Sequence, residues 1–176
     1  TKLPELPRFG MRMELHQPYE NLTYYGRGPF ENYIDRYSGA FIGRYEDKVE
    51  NQFYWYIRPQ ETGNKTDVRW LTLLDSGGLG VKITGLQPIS FSALHFSPED
   101  LDPGLTRKLQ HTIDIVPQKN IFLHVDLKQR GLGGDNSWGM YPHNEYRLLD
   151  KKHTYSYMIE LVEKGSDKND YLNSRK

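Results

Sequence analysis

The chain has 176 residues, enough for one domain with a substantial core. Its 23 Lys and Arg balance its 23 Asp and Glu, so no basic footprint for nucleic acid or an anionic membrane is expected, and no apolar run is long enough for a helical span. There is no cysteine, which excludes disulfide scaffolds and thiolate metal sites.

Thirteen Tyr, seven Phe and three Trp give a heavy aromatic load. Such residues suit half-buried strands, and they also suit sugar-stacking surfaces, so composition alone leaves both open. Along the chain, period-two alternation recurs and helical periodicity does not. Residues 9–15 alternate, with Phe9, Met11, Met13 and Leu15 on one face. Residues 68–75 and 79–84 read as two strands joined by Ser76-Gly77-Gly78, a hairpin signal. A separate strand is expected over 89–93. Ser97-Pro98-Glu99-Asp100 has the form of a helix start, with serine as cap and proline at the first helical position. Residues 109–115 and 121–127 alternate as strands, and 153–162 puts Tyr155, Tyr157, Ile159 and Leu161 on a common face.

Many short strands without intervening helices predict an all-β fold, an antiparallel β-sandwich. The domain is expected to run over 1–163, with the polar, aperiodic tail 164–176 disordered. A strand that starts almost at the first residue has little sequence before it to supply its neighbours, so a partial domain with pairable sheet edges is expected. A homo-oligomer built through those edges is one outcome.

Two loops stand out. The stretch YYGRGPFENYIDR, 24–36, sets Gly26 and Gly28 around Arg27, and Pro29, Glu31, Asp35 and Arg36 follow. Without a following lysine or helix this is a weak phosphate-loop signal. On its residues alone it reads as a structured turn in which Glu31, Asp35 and Arg36 pair with each other or with backbone amides. The stretch GLGGDNSWG, 131–139, leaves a strand, spends three glycines in four positions and then presents Trp138. Glycines permit the turns that deliver such a ring, and Asp135 and Ser137 have short side chains suited to holding a loop by its own backbone. The six histidines show no ligand spacing, and structural roles are expected for His111 and His124.

With LPRFGMRMEL before them and YWYIRPQETGN between them, these motifs resemble the C-terminal domain of the large bacterial β-galactosidases of glycoside hydrolase family 2. The resemblance covers about residues 7–162. It implies a large supersandwich, similar to galactose mutarotases, of which this chain is the later part. It further implies that Trp138 forms a wall of the subsite for the leaving sugar, and that 28–37 borders the active site. Trp138, Asp135, Asn136, Gly28 and Glu31 are therefore the expected substrate-binding residues, toward a galactose-containing sugar.

A retaining glycosidase needs two carboxyl groups about 5–5.5 Å apart. In the family both sit on a barrel domain that is not in this sequence, as do the magnesium ligands, and the parent enzymes' sodium also belongs to other domains. No catalytic or metal residue and no cofactor is therefore assigned to this chain, and Glu31, Asp35 and Asp135 are not catalytic candidates. The chain by itself is expected to be inactive, with the remaining domains of a parent enzyme as partners. A free-standing carbohydrate-binding module is the alternative. Cytoplasm and periplasm both remain open.

Overall fold

The computed structural model describes residues 5–102, 104, 111–136 and 138–163. Seven strands occur among them: β1 (Arg8–Leu15), β2 (Asn21–Gly28), β3 (Phe41–Lys48), β4 (Lys65–Leu74), β5 (Gly80–Leu94), β6 (Ile121–Gln129) and β7 (Tyr157–Val162). All pairings are antiparallel, in the order β1-β6-β5-β4-β2-β3, with β7 alongside β5. The fold is all-β, as the alternation predicts. The disordered tail expected at 164–176 lies outside the described residues.

The β4–β5 hairpin forms where expected. Asp75 Oδ1 accepts from the amides of Gly77 at 2.7 Å and Leu79 at 2.9 Å, and Gly78 takes φ +85°. The helix start is also present as α1 (Pro98–Leu101). Ser97 Oγ accepts from Asp100 N at 3.1 Å, and Asp100 Oδ2 in turn accepts from the Ser97 amide at 2.7 Å.

Residues 79–84 and 89–93 are not two strands, as expected, but parts of one strand, β5, running through Pro88. Proline fits because β5 changes neighbours on one edge there: Gly80 to Gly85 pair with β7, and Ser90 to Leu94 pair with β6. On the other edge β4 advances from Val68 to Trp70 while β5 advances from Ile89 back to Thr84, so β5 bulges away. The sheet bends at this place. Tyr24 pairs with Leu71 and Phe91 with Lys65, which a flat sheet would hold about 20 Å apart along the strands, yet their rings stand 5.3 Å apart, edge to face. One continuous sheet thus turns its apolar face inward on itself. Leu22, Tyr24, Leu71, Ile83, Phe91 and Leu123 belong to the resulting core.

Over 111–115, the described part of the strand expected at 109–115, no strand forms. Residues 112–114 form a 3₁₀ turn with Ile113 89% exposed, while 109 and 110 lie outside the described residues. Alternation there has no neighbouring strand to bury it. Conversely, β2 takes up the first half of the 24–36 motif, and β3 follows as the sheet's outer strand.

Candidate functional site

The turn after β2 begins where backbones are crowded. A Cβ on Gly28 would overlap the Tyr24 hydroxyl and meet the Tyr45 ring, so only glycine fits there. Asn32 is fully buried and uses every polar group. Its Oδ1 accepts from Thr66 N at 2.9 Å and Thr66 Oγ1 at 2.5 Å, and its Nδ2 donates to the carbonyls of Arg27 at 3.1 Å and Phe30 at 3.0 Å. Tyr33 and Arg36 exchange backbone bonds of 3.3 and 2.7 Å, closing the turn.

Glu31 is held from four sides. Oε1 accepts from the Tyr56 hydroxyl and from Arg36 at 2.7 Å, and Oε2 accepts from Thr62 Oγ1 at 2.9 Å and the Gly63 amide at 2.7 Å. Burial by itself would raise its pKa. The donors Tyr56, Gly63, Thr62 and Arg36 outweigh that and hold the carboxyl below its ordinary value. Glu31 is therefore an ionised tie between 29–37 and 54–63, its lone pairs spent on the protein. Tyr56 and Thr62 are parts of this arrangement that sequence reading did not single out. Only the family resemblance of YWYIRPQETGN marked their segment.

The second loop leaves β6 and is tied at both ends. Glu5 bridges Arg130 at 2.8 Å and Arg147 at 2.6 Å, and both guanidiniums lie over the Tyr141 ring. The Gly131 amide donates to the Tyr146 carbonyl at 2.8 Å. At the neck, Gly134 packs so closely on the Met140 backbone that a Cβ would collide with it. At the tip, Asn136 Oδ1 accepts from Trp138 N at 2.8 Å, and Gly139 takes φ +93°. Asp135 pairs with His143 at 2.7 Å, and that bond raises the exposed imidazole's pKa above its ordinary value. Trp138 is 92% exposed. Ser137 lies outside the described residues.

Of the expected site residues, Trp138, Asp135 and Asn136 share this tip, and Gly28 and Glu31 belong to the other turn. The two segments touch: Asp35 Oδ2 accepts from the Gly133 amide at 2.7 Å.

Residues 1–161, spanning the sheet and both loops, match the family model described as beta galactosidase small chain. This chain belongs to that family. It is 37% identical over 159 residues to a β-galactosidase of Priestia megaterium (strain DSM 319 / IMG 1521), covering 90% of this chain and 15% of that protein. It is likewise 37% identical over 161 residues to a β-galactosidase of Streptococcus thermophilus, with 90% and 15% covered. A β-galactosidase of Halalkalibacterium halodurans is 36% identical over 147 residues, 83% of this chain and 14% of that one. The chain thus spans about one seventh of the length of these relatives.

The chain carries one further feature besides the Trp138 loop. A cleft of about 690 Å³ lies against β1, β6 and β5, with Arg8, Glu61, Ser92, Leu94, Phe122 and His124 among its walls. Arg8 bridges Asp126 at 2.5 Å and Glu61 at 3.3 Å. Burial raises the pKa of both carboxyls against the pull of that guanidinium. His124, beside Ser92 Oγ at 3.3 Å, is pushed down to about 4 by burial and then by the charges of Arg8 and Arg12, so it is neutral at pH 7. His111 precedes the exposed 3₁₀ turn at 112–114, and its amide donates to Asp114 Oδ2 at 2.7 Å.

Proposed function

We propose that this chain forms one wall of a sugar-binding subsite in a β-galactosidase, with the Trp138 indole as the platform for a sugar face. Proton transfer and nucleophilic attack then belong to carboxyl groups outside these 176 residues. The observation that carries the reading is an indole left 92% exposed on a loop that is tied at its base and neck. An apolar ring held out in this way gains free energy only when something covers it. Three further points support the reading. The relatives are named β-galactosidases, the chain spans only about 15% of them, and the carboxylates nearest the loops are already engaged: Glu31 by four donors, Asp35 by Gly133 and Asp135 by His143.

An indole buries about 150–250 Å² in full, and a sugar covers one face, so the platform is worth roughly 2–3 kcal/mol at about 25 cal/mol/Å². In the enzyme that carries this chain, Trp138→Ala should raise KM for lactose about thirty- to a hundred-and-fifty-fold. It should affect kcat for a nitrophenyl galactoside much less, because a stacking surface mainly supplies binding. An unchanged KM for lactose would remove the proposal. The chain alone should not hydrolyse a chromogenic galactoside, and it should bind galactose more weakly than about 1 mM, as half a site does. Tighter binding by the chain alone would favour a free-standing carbohydrate-binding module instead.

A further inference from the structure

We propose that Asp35 is the positioning residue of the Trp138 loop: its carboxylate, carried on the turn after β2, sets where the indole stands by gripping the 131–133 backbone. The inference rests on the reading of Trp138 as a sugar platform and adds to it the group that fixes the platform's place.

The grip has two parts. Asp35 Oδ2 accepts from the Gly133 amide at 2.7 Å across 98 residues of sequence, a hydrogen bond to a carboxylate and so among the stronger kinds. Gly131 lies flat against the same carboxylate. A Cβ there would stand 2.5 Å from Asp35 Cγ and 2.6 Å from Oδ2, so glycine is what lets the loop approach. One of the glycines that make the loop unusual, Gly131, is thus accounted for by a side chain of the other motif.

The carboxylate is also kept for this task. Arg36 is the adjacent cation, yet its guanidinium turns to Glu31 at 2.7 Å and to the Tyr56 hydroxyl at 3.2 Å. Asp35 Oδ1 is buried with no hydrogen-bond partner among the described residues, so the Gly133 bond is the hydrogen bond that orients the group. The turn beneath it is stiff: Tyr33 and Asn32 are buried, and Asn32 is bonded through all its polar groups. A rigid support is what a positioned site requires. On the far side of Gly133 the grip passes straight to the neck, where Gly134 packs on Met140, and from there to the Asn136–Trp138 turn. The two glycine-rich segments therefore move as one unit.

The test uses the intact enzyme that carries this chain, read by hydrogen exchange at Gly133 and by steady-state kinetics on lactose. With Asp35→Ala, exchange at Gly133 should quicken about ten- to a hundredfold, the range expected for loss of a charge-assisted bond, while amides of β4 and β5 stay as they were. KM for lactose should rise several-fold, with the loss falling chiefly on KM. Asp35→Asn, which keeps a carbonyl oxygen to accept the Gly133 amide, should recover most of both. If Asp35→Ala does not fold, Gly131→Ala reaches the same contact from the other side, by pushing the carboxylate off, and should give the same pair of changes. Unchanged Gly133 exchange in these variants overturns the proposal. So does freed exchange with wild-type KM in an enzyme where Trp138→Ala raises KM. If instead Trp138→Ala itself leaves KM unchanged, the sugar-platform reading fails, and Gly133 exchange still decides whether the grip exists.

Discussion

Glu31→Gln is the most informative single change, because it keeps shape and removes charge from a carboxylate whose four donors are all known. Wild-type Oε2 faces Thr62 Oγ1 and the buried Gly63 amide, and Oε1 faces Tyr56 and Arg36. The glutamine NH₂ cannot face Gly63, since two N–H groups would meet and a buried amide would lose its partner. It must therefore face Tyr56, whose hydroxyl can turn to accept, and Arg36. The Arg36 side chain is 57% exposed and returns to water at little cost. What is lost is the charge assistance on the bonds from Gly63, Thr62 and Tyr56, about 1 kcal/mol each, offset in part by the cheaper burial of an amide. The net cost is about 2 kcal/mol. Urea unfolding at pH 7 should show a midpoint lower by about 1 M for a slope near 2 kcal/mol/M. The carboxyl's folded pKa is depressed, so its stabilisation is complete above the unfolded value, about 4.3, and is lost as pH falls through the lower folded value. The wild-type and variant curves should converge in acid. A midpoint within about 0.2 M of wild type at pH 7, or a gap that persists until acid unfolding, would refute the reasoning.

Two other changes test the surroundings. Lys65 is buried, with Nζ bonded to Gln52 Oε1 at 2.9 Å and the Gly63 carbonyl at 3.2 Å, and burial pushes its pKa down to about 8. The unfolded chain holds this proton more tightly, so stability should rise from about pH 8 to about pH 10, where the buried, upward-shifted hydroxyls of Tyr24 and Tyr33 begin to oppose it. Lys65→Met should flatten that rise in urea titrations, and a slope that survives the substitution would rule Lys65 out. Asp135→Asn should move the His143 pKa back toward its ordinary value, measured by NMR titration of the imidazole; no change would mean that the pair seen at 2.7 Å does not persist in solution.

Much of the sheet was legible because burial on one face imposes period two within a few residues. That pattern marked β1, β4 and β6, and the Ser76-Gly77-Gly78 turn and the Ser97 cap are chemical signals of similarly short range. Alternation marked β7 as well, although its Ile159 and Leu161 are exposed. The same pattern misled at 112–114, where alternation met no partner strand and Ile113 stayed exposed. β2 and β3 went unread because Gly26, Gly28 and Gly43 interrupt their apolar faces. Gly26 is there because a Cβ would strike Val68, a residue brought near only by folding. β5 read as two strands because Pro88 is locally a breaker, and only the change of edge partner from β7 to β6 makes it tolerable.

The site divides along the same line. Sequence by itself determined the residue types: a glycine-rich exit from β6, a tryptophan at its tip, a turn dense in Glu, Asp and Arg, and through their order the family to which the chain belongs. Tertiary structure decided who holds whom. Glu31 is shared among Tyr56, Thr62 and Gly63, and Asp35 passes over Arg36 to take the amide of Gly133. Such choices rest on distances between segments far apart in the chain, set by strand register and the bend of the sheet. Local propensity acts over a handful of residues and carries no record of them.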